Sequence, residues 1–274
     1  HYHKNGRWTF ITKAVIVAKF MGDWFMPIKP DLLQILYQDA CMVIINKPAN
    51  MLVHRSWLDK HETCFVVQTL RNQINQHVYP VHRLDRPTSG VLVFALDSQT
   101  AGLLAKQFEN HHIQKSYLAV VRGIIGTGRI DYALKLRLDK IADKFSNPNK
   151  ASKSAITDYQ VLATTQQPFI SCRRFDSSRY SLVCLTPITG RKHQLRRHMK
   201  HIFHPIVGDT TYGDKVQNRA VLAHIGVKRL LLHAHQLQFC HPLYDEMIRI
   251  VAPLDTAFCQ VMTAFGWSDV DLMA

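Results

Sequence analysis

Apolar and polar positions alternate in short bursts along most of this chain. Leu33-Gln34-Ile35-Leu36-Tyr37 has the period of a half-buried strand, and Met42-Val43-Ile44-Ile45-Asn46 follows it after a short turn. Val91 to Leu96 is an unbroken apolar run, which suits a strand buried on both faces. From Lys115 to Gly123 the alternation puts Lys115, Tyr117, Ala119 and Val121 on one face. Further strands are predicted over 155–164, 169–174 and 179–185. Helical periodicity appears over 63–76, where Val66, Val67, Leu70 and Ile74 share a side. It returns over 98–112, with Ser98 as cap and Leu103, Leu104 and Phe108 as apolar face, and over 255–267. Strands interspersed with helices predict an α+β class: a single domain, mainly antiparallel sheet flanked by helices. Residues 1–30 are basic and aromatic and share no pattern with the rest. They read as a weakly ordered N-terminal extension to a domain covering 31–274.

Composition narrows the class of protein. Hydrophobic residues make up 47% of the chain, enough for a sizeable core and incompatible with disorder. Lys and Arg number 34 against 20 Asp and Glu, a formal net charge of +14, which favours a polyanionic partner such as nucleic acid. Cys41, Cys64, Cys172, Cys184, Cys240 and Cys259 show no C-x-x-C spacing and read as buried thiols in a reducing compartment. His111, His112, His193, His198, His201 and His204 lack cysteine or carboxylate partners at ligand spacing, so no metal site is expected. No stretch reaches the length of a membrane span, and Lys13 and Lys19 break the apolar run over 9–21. A cytoplasmic location and no membrane association are the expectations.

The candidate chemistry centres on Val81-His82-Arg83-Leu84-Asp85-Arg86-Pro87-Thr88-Ser89-Gly90. Pro87 and Gly90 mark a loop at the mouth of the buried 91–96 strand. Flanking guanidinium groups favour an ionised Asp85, which can act as a nucleophile or form half of a structural ion pair. Charge and spacing alone favour the ion pair, the commoner fate of such carboxylates.

The literal string adds more. His82-Arg83-Leu84-Asp85 followed by Thr88-Ser89-Gly90 resembles the active-site motif of a large family of RNA pseudouridine synthases. Three further stretches resemble the family in its own order. Lys115 to Gly123 fits K-x-Y-x-A-x-V-x-G; Thr189 to His198 fits T-G-R-x-H-Q-I/L-R-x-H; Arg229 to Pro242 looks like its closing strand pair, read as core. The resemblance runs from Leu32 to Trp267, with Lys47-Pro48 leading into the first loop.

It implies that Asp85 is the catalytic nucleophile, attacking C1′ or adding to C6 of uracil. It implies that Tyr117 lies against the target base and assists proton transfer at C5, and that Arg191 orients Asp85. A guanidinium suits that last role because it stays charged and can bond a carboxylate through two N–H groups. The remaining implied RNA contacts are Arg83, placed to insert where the flipped base was, with Arg86, Lys192, Leu195, Arg196 and Arg197. No cofactor is expected, since the isomerisation involves no redox change. The loops Leu52 to Asp59 and Asp139 to Phe145 resemble a branch that modifies the T-stem of tRNA. The implied partner is therefore tRNA, with ribosomal RNA as the alternative and no obligate protein partner. A catalytically inactive RNA-binding protein is the competing class, and the presence of Asp85 weighs against it.

Overall fold

A single carboxylate closes the first hairpin, between β1 (Gln34–Gln38) and β2 (Met42–Lys47). Asp39 Oδ1 accepts from the backbone N–H groups of Cys41 and Met42, both at 2.8 Å. Its Oδ2 accepts from the Tyr37 hydroxyl and faces His241 Nε2, again at 2.8 Å each. The computed structural model describes residues 32–54, 64–135, 151–171 and 174–272. The N-terminal extension, Arg55 to Asp59, and the Asp139 to Phe145 loop all lie outside the described residues.

The chain continues through α1 (Val66–Ile74), β3 (Tyr79–Pro80), β4 (Ser89–Ala95), α2 (Ser98–Glu109), β5 (Gln114–Arg122) and β6 (Gly128–Asp131). Then come β7 (Ile156–Gln167), β8 (Ser178–Pro187), α3 (Gln194–His201) and α4 (Lys215–Ile225). The last elements are β9 (Leu232–Cys240), β10 (Met247–Val251) and α5 (Thr256–Ala264). Helix starts follow local capping chemistry. Asp97, not Ser98, caps α2, its carboxylate accepting from Thr100 N at 2.7 Å. Asp214 and Asp255 cap α4 and α5 in the same way.

The described strands form one sheet in the order β1-β2-β4-β9-β5-β8-β7-β6, with β10 beside β9 and β3 beside β4. Every pairing is antiparallel except β4 with β9. Helices cover both faces, which is why β2, β4 and the middle of β5 are apolar without alternation. On one face Val43, Ile45, Leu92 and Phe94 meet Val66 and Leu70 of α1. On the other, Met42, Ile44, Val91 and Val93 meet Leu104 of α2. Further along, Leu118, Val120 and Leu182 pack on α4 and α5, while Ala119, Val121 and Val183 pack on Leu195 and Met199 of α3.

Gly90 makes the parallel junction possible. Its φ is +112°, and a Cβ there would lie 2.2 Å from the carbonyl oxygen of Ala234 in β9. The backbones of β4 and β9 meet just after the Asp85 loop, and only glycine permits that approach.

Some expectations are corrected. Residues 169–171 and 174 are not strand: Pro168 removes a ladder donor after β7, and Phe169 turns inward to stack on His224, ring centroids 4.5 Å apart. The described cysteines are free, but only Cys41 is buried, while Cys64 and Cys259 are exposed. No described helix is long and apolar enough to cross a membrane.

Although burial pulls the Asp39 carboxyl upward, the bonds from His241, Cys41, Tyr37 and Met42 outweigh it, and its pKa falls from 3.8 to about 2. A depressed acid contributes stability that is complete above its unfolded pKa and lost as pH falls through its folded one. Wild type should therefore lose more stability than Asp39→Asn between pH 4 and pH 2 in urea titrations. Parallel pH profiles for the two proteins would show that the hairpin lock contributes nothing.

Candidate active site

Asp85 lies on the loop between β3 and β4, and the loop is nailed down from several sides. Thr88 N donates back to Asp85 O at 3.0 Å. Lys47, fully buried at the end of β2, donates to three carbonyls: Pro48 O at 2.8 Å, Arg86 O at 3.1 Å and Thr88 O at 2.8 Å. An ammonium has three N–H donors, so this site satisfies it completely. Burial, then repulsion from Arg229, nevertheless pushes Lys47 down to about 7. Ser89 Oγ is 2.8 Å from His233 Nδ1 and accepts from Arg229 Nη2 at 2.9 Å. Ahead of Asp85, His82 Nε2 accepts from Val93 N at 3.0 Å, and burial holds this imidazole neutral, its pKa pushed down to about 3. Lys47, His82, Thr88, Ser89 and Gly90 thus each have a structural task around the one carboxylate.

The partner of that carboxylate comes from α3. Arg196 is buried and forks between two acids. Its Nη1 donates to Asp85 Oδ2 at 3.2 Å, while Nε and Nη2 donate to Asp209 at 2.7 and 2.8 Å. Burial alone would lower its pKa, but Asp209 and Asp85 together raise it. Asp209, itself buried, is held below the usual carboxylate range by Arg196 and by the backbone N–H groups of Tyr212 and Thr211, against the opposing effect of burial. The second oxygen of Asp85, Oδ1, faces His193 Nε2 at 3.7 Å.

This corrects the reading of Arg191 and Arg196. Arg191 is exposed on the cavity rim, and its Nε donates to Ser154 O at 3.1 Å. It lies ahead of the helix, because α3 begins only at Gln194, whose side chain takes the Arg191 N–H at 3.0 Å. Arg196, expected as an RNA contact, sits inside the helix on the inner face, and the ion pair with Asp85 is its own. Lys192 is exposed and Arg197 half-buried, while Arg83 and Arg86 project outward from the Asp85 loop.

A cavity of about 470 Å³ opens over the ion pair. Asp85, Arg196, Tyr117, Leu195 and Arg83 line it together, with Arg191, Lys192 and His193 at one side. Arg86 is not among its lining. Tyr117 comes from β5 at a register shift between Ser116 and Tyr117, which turns its ring toward the cavity. Burial, then the charge of Asp85, pushes its phenol above the usual range, so it is held neutral. The result is a concave site with an ion pair at its base, an apolar wall and a cationic rim. That combination suits a flat uncharged ring attached to a phosphate chain.

A profile of the family described as RNA pseudouridylate synthase matches residues 41–201. The chain belongs to this family. Family membership makes it an isomerase that acts on RNA. It is 61% identical over 236 residues to the tRNA pseudouridine synthase C of Pasteurella multocida, covering 86% of this chain and 97% of that protein. It is 60% identical over 240 residues to the enzyme of the same name from Haemophilus influenzae, covering 87% and 100%. Among solved structures, human RNA Pseudouridylate Synthase Domain Containing 1 superposes with a TM-score of 0.62 at 26% identity, covering 86% of this chain and 95% of that one. Human RNA Pseudouridylate Synthase Domain Containing 4 gives 0.61 at the same identity, covering 87% and 94%.

One other cluster, Asp39, Cys41 and His241, has the residue types of a metal site. Its hydrogen bonding argues otherwise. His241 Nδ1 accepts from Leu243 N and Tyr244 N at 3.1 and 3.2 Å, which leaves the ring proton on Nε2, aimed at Asp39.

Lys47→Met should leave three buried carbonyls without their donor and cost about 2–4 kcal/mol in urea unfolding. An unchanged midpoint would mean that the loop is held without it.

Proposed function

We propose that this chain isomerises a uridine in the T-stem of tRNA to pseudouridine, with Asp85 as the nucleophile. The observation that carries the reading is the juxtaposition of Asp85, Arg196 and Tyr117 in one cavity with a cationic rim. The tRNA assignment is supported by the names of the relatives that span almost their whole length in this chain. A tRNA substrate also favours a cytoplasmic location.

The net reaction breaks the N1–C1′ bond, forms C5–C1′, removes the proton from C5 and returns one to N1. No electron is gained or lost, so the balance calls for a nucleophile and a proton carrier only. Attack at C1′ and addition at C6 both need an ionised, correctly turned carboxylate. Arg196 supplies the turn: its bond to Oδ2 fixes Asp85, and Asp209 fixes Arg196. Tyr117 is a neutral phenol while Asp85 carries its charge. When that charge passes into a bond with the substrate, the electrostatic part of the barrier to a Tyr117 phenolate, the smaller part beside burial, falls; a phenol that gives its proton to the released base at N1 is then able to take the one from C5. The target base must leave its stack to enter the cavity, and Arg83, exposed beside Asp85, is placed to fill the gap. Arg86, Lys192 and Arg197 carry phosphate contacts around the rim in this reading, and Leu195 forms the apolar wall.

Pseudouridine mapping of bulk tRNA and ribosomal RNA tests the proposal. Wild type should add one pseudouridine in the T-stem of tRNA, and Asp85→Asn none, with tRNA affinity nearly unchanged. Modification confined to ribosomal RNA would overturn the substrate, and turnover by Asp85→Asn would overturn the nucleophile. Arg196→Lys should lower kcat about 100-fold by misdirecting the carboxylate. Arg191→Lys should leave kcat near wild type, and a large loss there would reinstate Arg191 as the orienting group.

A further inference from the structure

His193 stands at the start of α3 in a backbone conformation that histidine rarely adopts. Its φ is 55°, and its side chain makes no capping bond to the helix. Such strain persists where the surroundings hold it, and here they do. The ring lies between two groups. Nδ1 is 2.9 Å from the Tyr212 hydroxyl, and Nε2 is 3.7 Å from Asp85 Oδ1, the oxygen that Arg196 does not bond. Tyr212 is tied into the same assembly: its N–H donates to Asp209 Oδ1 at 2.9 Å, and its ring lies 5.2 Å from the Arg196 guanidinium. Asp85, Arg196, Asp209, Tyr212 and His193 thus close a ring of contacts around one carboxylate.

We propose that His193 is a positioning residue: Tyr212 donates its hydroxyl proton to Nδ1, so the imidazole keeps an N–H on Nε2, and that N–H sets the plane of the Asp85 carboxylate. The inference rests on the reading of Asp85 as nucleophile. At 3.7 Å the N–H directs Oδ1 without forming a hydrogen bond, so this oxygen keeps its nucleophilic lone pairs while Oδ2 carries the ion pair. The Tyr212 bond matters because a neutral imidazole has two tautomers. With the proton on Nδ1, Nε2 would turn a lone pair toward Oδ1 and repel it. A protonated ring presents N–H groups on both sides and needs no such control. Arg83, Tyr117 and Lys115 share the cavity with the ring, Lys192 is its chain neighbour, and Asp85, Arg196 and Tyr212 touch its surroundings directly.

The test is single-turnover kinetics on tRNA with wild type, His193→Asn and Tyr212→Phe, together with Tm. Asparagine accepts the left-handed backbone, so the helix start survives the change. His193→Asn should lower the rate of the chemical step at least about tenfold, with KM within twofold of wild type and Tm unchanged or raised. Tyr212→Phe, which removes the hydroxyl that fixes the tautomer, should lower the rate of the chemical step by a smaller factor than His193→Asn, again with KM and Tm near wild type. A wild-type rate in His193→Asn, a rate loss accompanied by a drop in Tm or a rise in KM, or a wild-type rate in Tyr212→Phe would each overturn the proposal. Failure of the underlying reading is separable, because it would appear as turnover by Asp85→Asn, whatever His193→Asn does.

Discussion

Everything at this site depends on a guanidinium held between two carboxylates. Arg196 is buried, and a buried charge is expensive unless it is paired and its donors are used. Asp209 uses two of them through a fork that leaves the head no freedom to turn. The remaining Nη1 then has one direction available, and Asp85 lies along it. The half-exposed acid that faces the cavity is thus oriented by a pair that is almost wholly buried. Asp209 is itself fixed by the backbone N–H groups of Thr211 and Tyr212, so the orientation of Asp85 is written into the chain beyond α3.

The rest of the fold brings these two loops together and keeps them rigid. Helices on both faces of the sheet let β2 and β4 be apolar throughout, and that double burial anchors the Asp85 loop to the centre of the molecule. Lys47 and Ser89 fasten the loop from below, while Gly90 lets it reach β9. Arg229, which bonds Ser89, also pairs with Asp255, the cap of α5. A helix distant in sequence therefore shares in holding the loop. Rigidity of this kind is what a reaction that must direct one oxygen at one carbon requires.

Much of this was legible in the sequence, and the misses have physical causes. Unbroken apolar runs marked β2 and β4, and the spacing around Tyr117 placed it on one face with Ala119 and Val121 as the structure has it. The string around Asp85 marked the loop, although the separate tasks of Lys47 and Ser89 depend on contacts far apart in the chain. The resemblance implied Arg191, the first arginine of its motif, as the orienting group, whereas the arginine paired with Asp85 is Arg196, five residues on. The residue that shifts the start of α3 to Gln194 is His193, whose left-handed backbone no helix pattern announces. No role was legible for Asp209, because its pairing depends on the loop after α3 folding back against Arg196. The helix α4 was missed because its buried residues, Ala220 and Val221, are too few to show a period.

The most direct test of the account is the single-turnover rate of Asp209→Asn on tRNA. Asp209 is buried and does not line the cavity, so a change there reaches the substrate through the groups it holds, Arg196 directly and Tyr212 through His193, and both lead to Asp85. The account predicts a fall in the chemical step of about 100-fold with tRNA affinity unchanged. A wild-type rate in a folded Asp209→Asn protein would contradict it, because Asp85 would then be oriented without the buried pair.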